Sequence, residues 1–262
     1  MKIFNLKTNR LNNPLGFSFS NNARLSWIVE SESAKNQVAA QVEVSTEIDF
    51  STLIFDSGKR TDIDSICYPL DIKLKPRTRY YWKVRVWADD GIVATSDVAW
   101  FETCKMDEPW QAKWITPDFE STIHPVMFSD FNVEKQVVNA RIYICGLGLY
   151  EFSINGDKAG DEYLSPGLMA YDKWLPYQTY DVTNLLKDGK NDIEVFLGNG
   201  WYKGRYGLNR KQKFQYGDKF ALICEMHVEY ADGSTDVVVS DTNWKSRRSK
   251  VVDSNIFDGE IF

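Results

Sequence analysis

Apolar and polar residues alternate in short runs along most of the chain. In the first hundred residues the alternation is clearest at 23–29, 37–45, 80–88 and 98–103. A period of two over such lengths, broken by turn residues, predicts the half-buried strands of an antiparallel sandwich. The sharpest segment is LKPRTRYYWKVRVWADDG, residues 74–91, in which Leu74, Pro76, Thr78, Tyr80, Trp82, Val84 and Val86 share one parity. From Thr78 onward these side chains form an apolar stripe on one sheet face, because successive residues of a strand point to opposite sides. Pro76 closes the preceding element and Asp89-Asp90-Gly91 supplies a tight turn. A Tyr that opens a strand just after a Leu-x-Pro corner has the form of the tyrosine corner of immunoglobulin-like sandwiches. The first region, residues 1–104, is therefore expected to be a fibronectin type III-like sandwich.

After the acidic, Pro-containing turn at 107–109 and the closely spaced Trp110 and Trp114, the pattern resumes. Strands are expected at 127–133, 139–145, 149–154, 178–182, 192–197, 220–230 and 235–240. Asn155-Gly156-Asp157, Lys187-Asp188-Gly189 and Ala231-Asp232-Gly233 are competent tight turns between them. Residues 182–187 are the sole helical candidate and are too short for more than a turn. The region 105–262 is thus expected to be a second all-β domain, a jelly-roll or galactose-binding-like sandwich. Large aromatics in the joining segment favour rigid docking of two domains over free swinging.

Composition narrows the function classes. The 262 residues carry a net charge of −6, and their basic stretches, 205–213 and 245–250, are interrupted by aromatic and polar residues. Nucleic-acid binding needs a clustered cationic footprint, so it is not expected. No apolar run approaches the roughly 20 residues that span a bilayer, and the N-terminal text lacks the apolar region of a signal peptide. The four cysteines, Cys67, Cys104, Cys145 and Cys224, show no metal spacing and read as buried free thiols, which leaves the compartment open. Both histidines lack a nucleophile context, and phosphate-loop, HExxH and dinucleotide motifs are missing.

The 13 Tyr, 9 Trp and 15 Phe suit sandwich cores and carbohydrate surfaces equally. Trp27 and Trp82 read as core, and no ligand is assigned to the first domain. In the second, two long irregular stretches concentrate aromatics with fixed polar groups. Residues 160–176 contain Tyr163, Pro166, Tyr171, Asp172 and Trp174. Residues 198–217 contain Asn199, Trp201, Tyr202, Arg205, Tyr206, Asn209 and Tyr216. Loops of this length in a compact sandwich either bind something or cover something. A sugar offers C–H faces and hydroxyl edges, so aromatic planes beside Asp, Asn and Arg match its surface. Tyr171, Asp172, Asn199, Trp201, Tyr202 and Arg205 are the candidate carbohydrate contacts; the same aromatics, Trp201 above all, would equally plug a domain interface. No catalytic residue is assigned. Asp161-Glu162 point to opposite faces, and Asp258 and Glu260 read as solvated, whereas glycoside hydrolysis requires two carboxylates flanking one bond.

GLGLYEFSINGDKAGDEYLSPG, YDKWLPYQTYDVT and GNGWYKGRYG closely resemble the N-terminal region of bacterial α-L-rhamnosidases, and NNPLGF, ARLSW and TRYYWKVRVWADDG resemble their leading fibronectin-like domain. The resemblance implies an N-terminal fragment of an inverting glycosidase whose helical (α/α)₆ barrel, absent from this all-β chain, carries the acid and base. It implies L-rhamnose-containing glycans and the catalytic domain of the same parent chain as partners. Some members bind terminal rhamnose with a calcium ion held by acidic and amide side chains, which points to Asp172 as a ligand; the adjacent Lys173 opposes a bound cation. A pair of sandwiches that only packs the barrel, with no sugar site, is the competing expectation.

Overall fold

The computed structural model describes residues 1–18, 23–205 and 214–262. It divides into two compact units, Met1–Pro109 and Trp110–Phe262.

The first unit contains β1 (Lys2–Thr8), β2 (Ala23–Glu30), β3 (Gln37–Ser45), β4 (Leu53–Asp56), β5 (Tyr68–Leu70), β6 (Arg79–Ala88), β7 (Val93–Thr95) and β8 (Ala99–Glu102). One sheet has the order β1-β2-β5; the other has the order β4-β3-β6-β7, with β8 also paired to β6. The alternation in β6 is realised residue by residue, with Tyr80, Trp82, Val84 and Val86 buried. They meet Leu25 and Trp27 from β2 and Val42 and Val44 from β3 in one core, so Trp27 and Trp82 are core residues. The Tyr80 hydroxyl accepts the Lys75 N–H at 2.7 Å, closing the corner expected from the sequence. Asp89-Asp90-Gly91 turns the chain into β7, with Gly91 at φ +85°.

The second unit contains β9 (Pro125–Val133), β10 (Val137–Leu147), β11 (Leu149–Ile154), β12 (Asp157–Lys158), β13 (Gln178–Asp181), β14 (Gly189–Gly198), a single helical turn α1 (Gly200–Lys203), β15 (Ala221–Tyr230), β16 (Thr235–Val239), β17 (Lys245–Arg248), β18 (Asp253–Asn255) and β19 (Gly259–Ile261). Antiparallel sheets of order β12-β11-β14-β9-β17 and β13-β10-β15-β16 enclose one apolar core, making a β-sandwich. Ile193, Val195 and Leu197 of β14 face Ile142 and Ile144 of β10 and Leu222, Cys224 and Met226 of β15 across it.

The outward face of β10 is covered as well. Arg141, Tyr143 and Cys145 are buried there. Trp110 and Tyr177, in edge-to-face contact at 5.4 Å, pack over this side with Ala112. Glu225, fully buried on the neighbouring strand, accepts the N–H groups of Gln111 (2.7 Å) and Ala112 (3.2 Å) and pairs with His227 at 2.6 Å. Such a carboxylate tolerates burial because its lone pairs are engaged.

The 182–187 stretch is a short 3-10 turn, Thr183–Leu185. Residues 245–250, one of the interrupted basic stretches, include edge strand β17, whose Arg247 forms a bidentate pair with Glu194 at 2.8 and 2.7 Å. Cys67 departs from the expectation of four buried thiols: Cys104, Cys145 and Cys224 are buried, while Cys67 lies exposed just before edge strand β5. Burial alone pushes the Cys145 thiol up to about 12.

Candidate functional site

Three tyrosines bring the two long loops of the second unit together. Tyr171 is buried, its hydroxyl donates to the Gly167 carbonyl at 2.7 Å, and its ring meets Tyr202 at 5.7 Å and Tyr216 at 5.2 Å. Tyr202 is partly buried; desolvation first, then the Asp218 charge, raises its phenol pKa. These rings are engaged with one another, whereas Trp174 of the first loop is exposed.

Asp172 follows Tyr171 directly in the chain. Its side chain is 56% exposed and faces the Lys173 ammonium at 3.3 Å. Among the described residues no three His, Cys, Asp or Glu side chains gather as a metal site. One exposed carboxylate facing an ammonium supplies few of the six to eight oxygens that calcium takes.

The second loop begins where β14 runs into α1. Gly200 adopts φ +54°, and a Cβ there would lie 2.7 Å from the Leu149 nitrogen and 2.6 Å from its Cγ. Only glycine lets the chain turn this close to β11. The turn points Asn199 and Lys203 to the same side, one helical turn apart. Lys203 is 5% exposed; its ammonium donates to Asn199 Oδ1 at 2.9 Å and lies 4.4 Å from the centre of the Phe220 ring. Asn199, 8% exposed, donates in turn to Asp253 Oδ1 at 3.4 Å.

The chain's last strands complete the network. Asn255, 7% exposed, accepts the Arg205 N–H at 3.1 Å and donates to Asp253 Oδ2 at 2.9 Å. The Arg205 guanidinium pairs with Asp258 at 2.7 Å and reaches Asp253 at 4.0 Å. Asp258, expected to be merely solvated, is thus an ion-pair partner. Asn199, Lys203, Arg205, Asp253 and Asn255 line a half-open cavity of about 270 Å³, with Phe214 and Val252 as its apolar wall. His124, buried against the Phe220 ring, has its Nδ1 3.2 Å from the Leu197 carbonyl; burial, with the Lys203 charge adding to it, lowers its pKa.

The structure therefore brings Asn199 and Arg205 to one cavity, and Tyr171 and Tyr202 to one aromatic cluster. Trp201 is partly buried on α1, and Asp172 faces Lys173. Tyr206 and Asn209 lie outside the described residues. Lys203, Asp253 and Asn255 were not anticipated from the sequence. Their only signal was the i, i+2 spacing of Asp253 and Asn255 in an otherwise unremarkable polar tail.

Fold and site define a two-domain, all-β chain: an immunoglobulin-like sandwich followed by a second sandwich with a polar, loop-borne cavity. Residues 3–107 match the family described as Rha78A-like, N-terminal immunoglobulin domain, and residues 135–262 match the α-L-rhamnosidase N-terminal domain. The chain belongs to the α-L-rhamnosidase family, as its N-terminal region. An α-L-rhamnosidase of Formosa agariphila is 30% identical over 97% of this chain and 30% of its own length. The solved α-L-rhamnosidase of Dictyoglumus thermophilum is 35% identical, with a TM-score of 0.86 over 100% of this chain and 31% of that one. The Streptomyces avermitilis α-L-rhamnosidase complexed with L-rhamnose shares the fold, with a TM-score of 0.90 at 22% identity over 99% of this chain and 42% of that one. The chain thus spans under a third of the length of the curated relative.

Proposed function

We propose that this chain is the non-catalytic substrate-recognition and scaffold region of an α-L-rhamnosidase that hydrolyses terminal α-L-rhamnosides, its second sandwich holding a sugar ring in the cavity beside Asn199. The observation that carries this reading is the convergence of three almost fully buried polar side chains, Asn199, Lys203 and Asn255, on a half-open hollow. Buried polar groups around a concavity are what a hydroxyl-rich ligand requires for orientation. The cavity volume of about 270 Å³ lies just below the ~300 Å³ lower end for drug-sized ligands, a size suited to one sugar ring. The two sheet orders are compatible with the jelly-roll arrangement read from the sequence.

A second reading, two sandwiches that only pack the catalytic part of the parent, draws on a different observation. Tyr163, Leu164, Leu168 and Trp174 of one loop are exposed, as are Phe257, Ile261 and Phe262. Tyr163, Leu164 and Phe262 border a mainly apolar groove of about 510 Å³. Titration with L-rhamnose, followed by tryptophan fluorescence, separates the two. Saturation at millimolar sugar that Arg205→Ala weakens supports recognition. A flat response in wild type leaves the scaffold reading.

A further inference from the structure

We infer that the cavity beside Asn199 accepts neutral sugar hydroxyls without any divalent cation, because the chain's own Lys203 and Arg205 already supply the positive charge there. The inference rests on the sugar-recognition reading and specifies its chemistry.

The Asn199 and Asn255 amide oxygens and both Asp253 oxygens are turned toward nitrogens of the chain. Asn199 Oδ1 accepts from the Lys203 ammonium at 2.9 Å. Asn255 Oδ1 accepts from the Arg205 N–H at 3.1 Å. Asp253 receives the amides of Asn199 and Asn255, at 3.4 and 2.9 Å. Freeing enough of them for six to eight coordinating oxygens would dismantle the network.

Charge leads to the same conclusion. Among the described residues two cations, Lys203 and Arg205, stand against two carboxylates, Asp253 and Asp258, so these charges balance before any ligand arrives. Lys203 is 5% exposed, and its ammonium cannot swing into solvent without leaving the Phe220 ring. A divalent ion would enter beside a fixed positive charge in a partly dry site, where repulsion is poorly screened. A neutral ring meets no such penalty. Its hydroxyls both donate and accept, matching carboxylate and guanidinium in turn, and its C–H face suits Phe214 and Val252. Outside the cavity, Asp172 offers one carboxylate already facing Lys173.

The test uses the 262-residue chain in two independent measurements. Calorimetric titration with L-rhamnose in excess chelator and in millimolar calcium should give the same affinity. Terbium titration, read by tryptophan-sensitised luminescence, should give no saturable signal. Lys203→Met should weaken sugar binding about tenfold or more, equivalent to at least about 1.4 kcal/mol. Asp172→Asn, at an exposed position that folding tolerates, should change neither sugar affinity nor the calcium response. Sugar binding that appears only with calcium, or saturable terbium binding that calcium displaces, overturns the inference and leaves the sugar site standing. No sugar binding in either buffer removes the sugar reading and the inference together.

Discussion

Gly200→Ala should damage this protein far more than Gly156→Ala, although both glycines have positive φ. Gly156 sits at φ +85° with nothing within 4 Å of where a Cβ would stand, so alanine there meets only the left-handed backbone penalty of about 1–2 kcal/mol. Gly200, at φ +54°, adds a collision: the new carbon would lie 2.6 Å from Leu149 Cγ and 2.7 Å from the Leu149 nitrogen. Leu149 N belongs to strand β11, paired with Gly198 of β14, and cannot retreat without disturbing the ladder. Overpacking of this kind costs about 1–3 kcal/mol, so the total for Gly200→Ala is about 2–5 kcal/mol. Urea unfolding of the two variants, monitored by far-ultraviolet circular dichroism and tryptophan fluorescence, measures both. A sugar titration should in addition show Gly200→Ala impaired, because α1 carries Lys203 into the cavity, with Gly156→Ala unaffected. Equal destabilisation by the two substitutions would refute the role of close approach to β11.

Two further outcomes follow from the same kind of reasoning. Tyr80→Phe removes the acceptor for the Lys75 N–H, whose residue is exposed enough for water to replace it in part, so unfolding of the first unit should become easier by about 1 kcal/mol. A loss above about 3 kcal/mol in denaturant would mean that the corner does more than this one bond. His124 is held neutral by burial, its pKa below the ordinary 6.5. As pH falls through about 6.5 the unfolded chain takes up a proton that the folded chain refuses, so folded-state stability should decline there and be fully present above it. His124→Gln should flatten that part of a plot of melting temperature against pH, and an unchanged slope would assign the decline to other groups.

Much of the architecture was legible because a strand with one buried face writes its orientation into the sequence. The parity of Tyr80, Trp82, Val84 and Val86 reports which side of β6 is buried, and Ile193, Val195 and Leu197 do the same for β14. Both patterns are local, set by the two-residue repeat of an extended chain. Strands with little apolar content were not legible. Lys245-Ser246-Arg247-Arg248 becomes a strand because β9 offers an open edge, a property of the partner rather than of the segment. The buried outer face of β10 was equally hidden, since Tyr143 and Cys145 are covered there by Trp110, Ala112 and Tyr177 from distant segments.

The candidate site divides along the same line. The sequence by itself determined the family, the all-β class and the two loops in which aromatic and polar groups concentrate. Only the tertiary structure decided what those groups do, by packing Tyr171 against Tyr202, by leaving Asp172 beside Lys173, and by bringing Asp253, Asn255 and Asp258 back to Asn199, Lys203 and Arg205 across some fifty residues of chain. Period and turn chemistry act between neighbours and can be read along the chain. A charge-balanced cavity exists only where distant segments meet, and the strand pairing that closes the sandwich decides which segments those are.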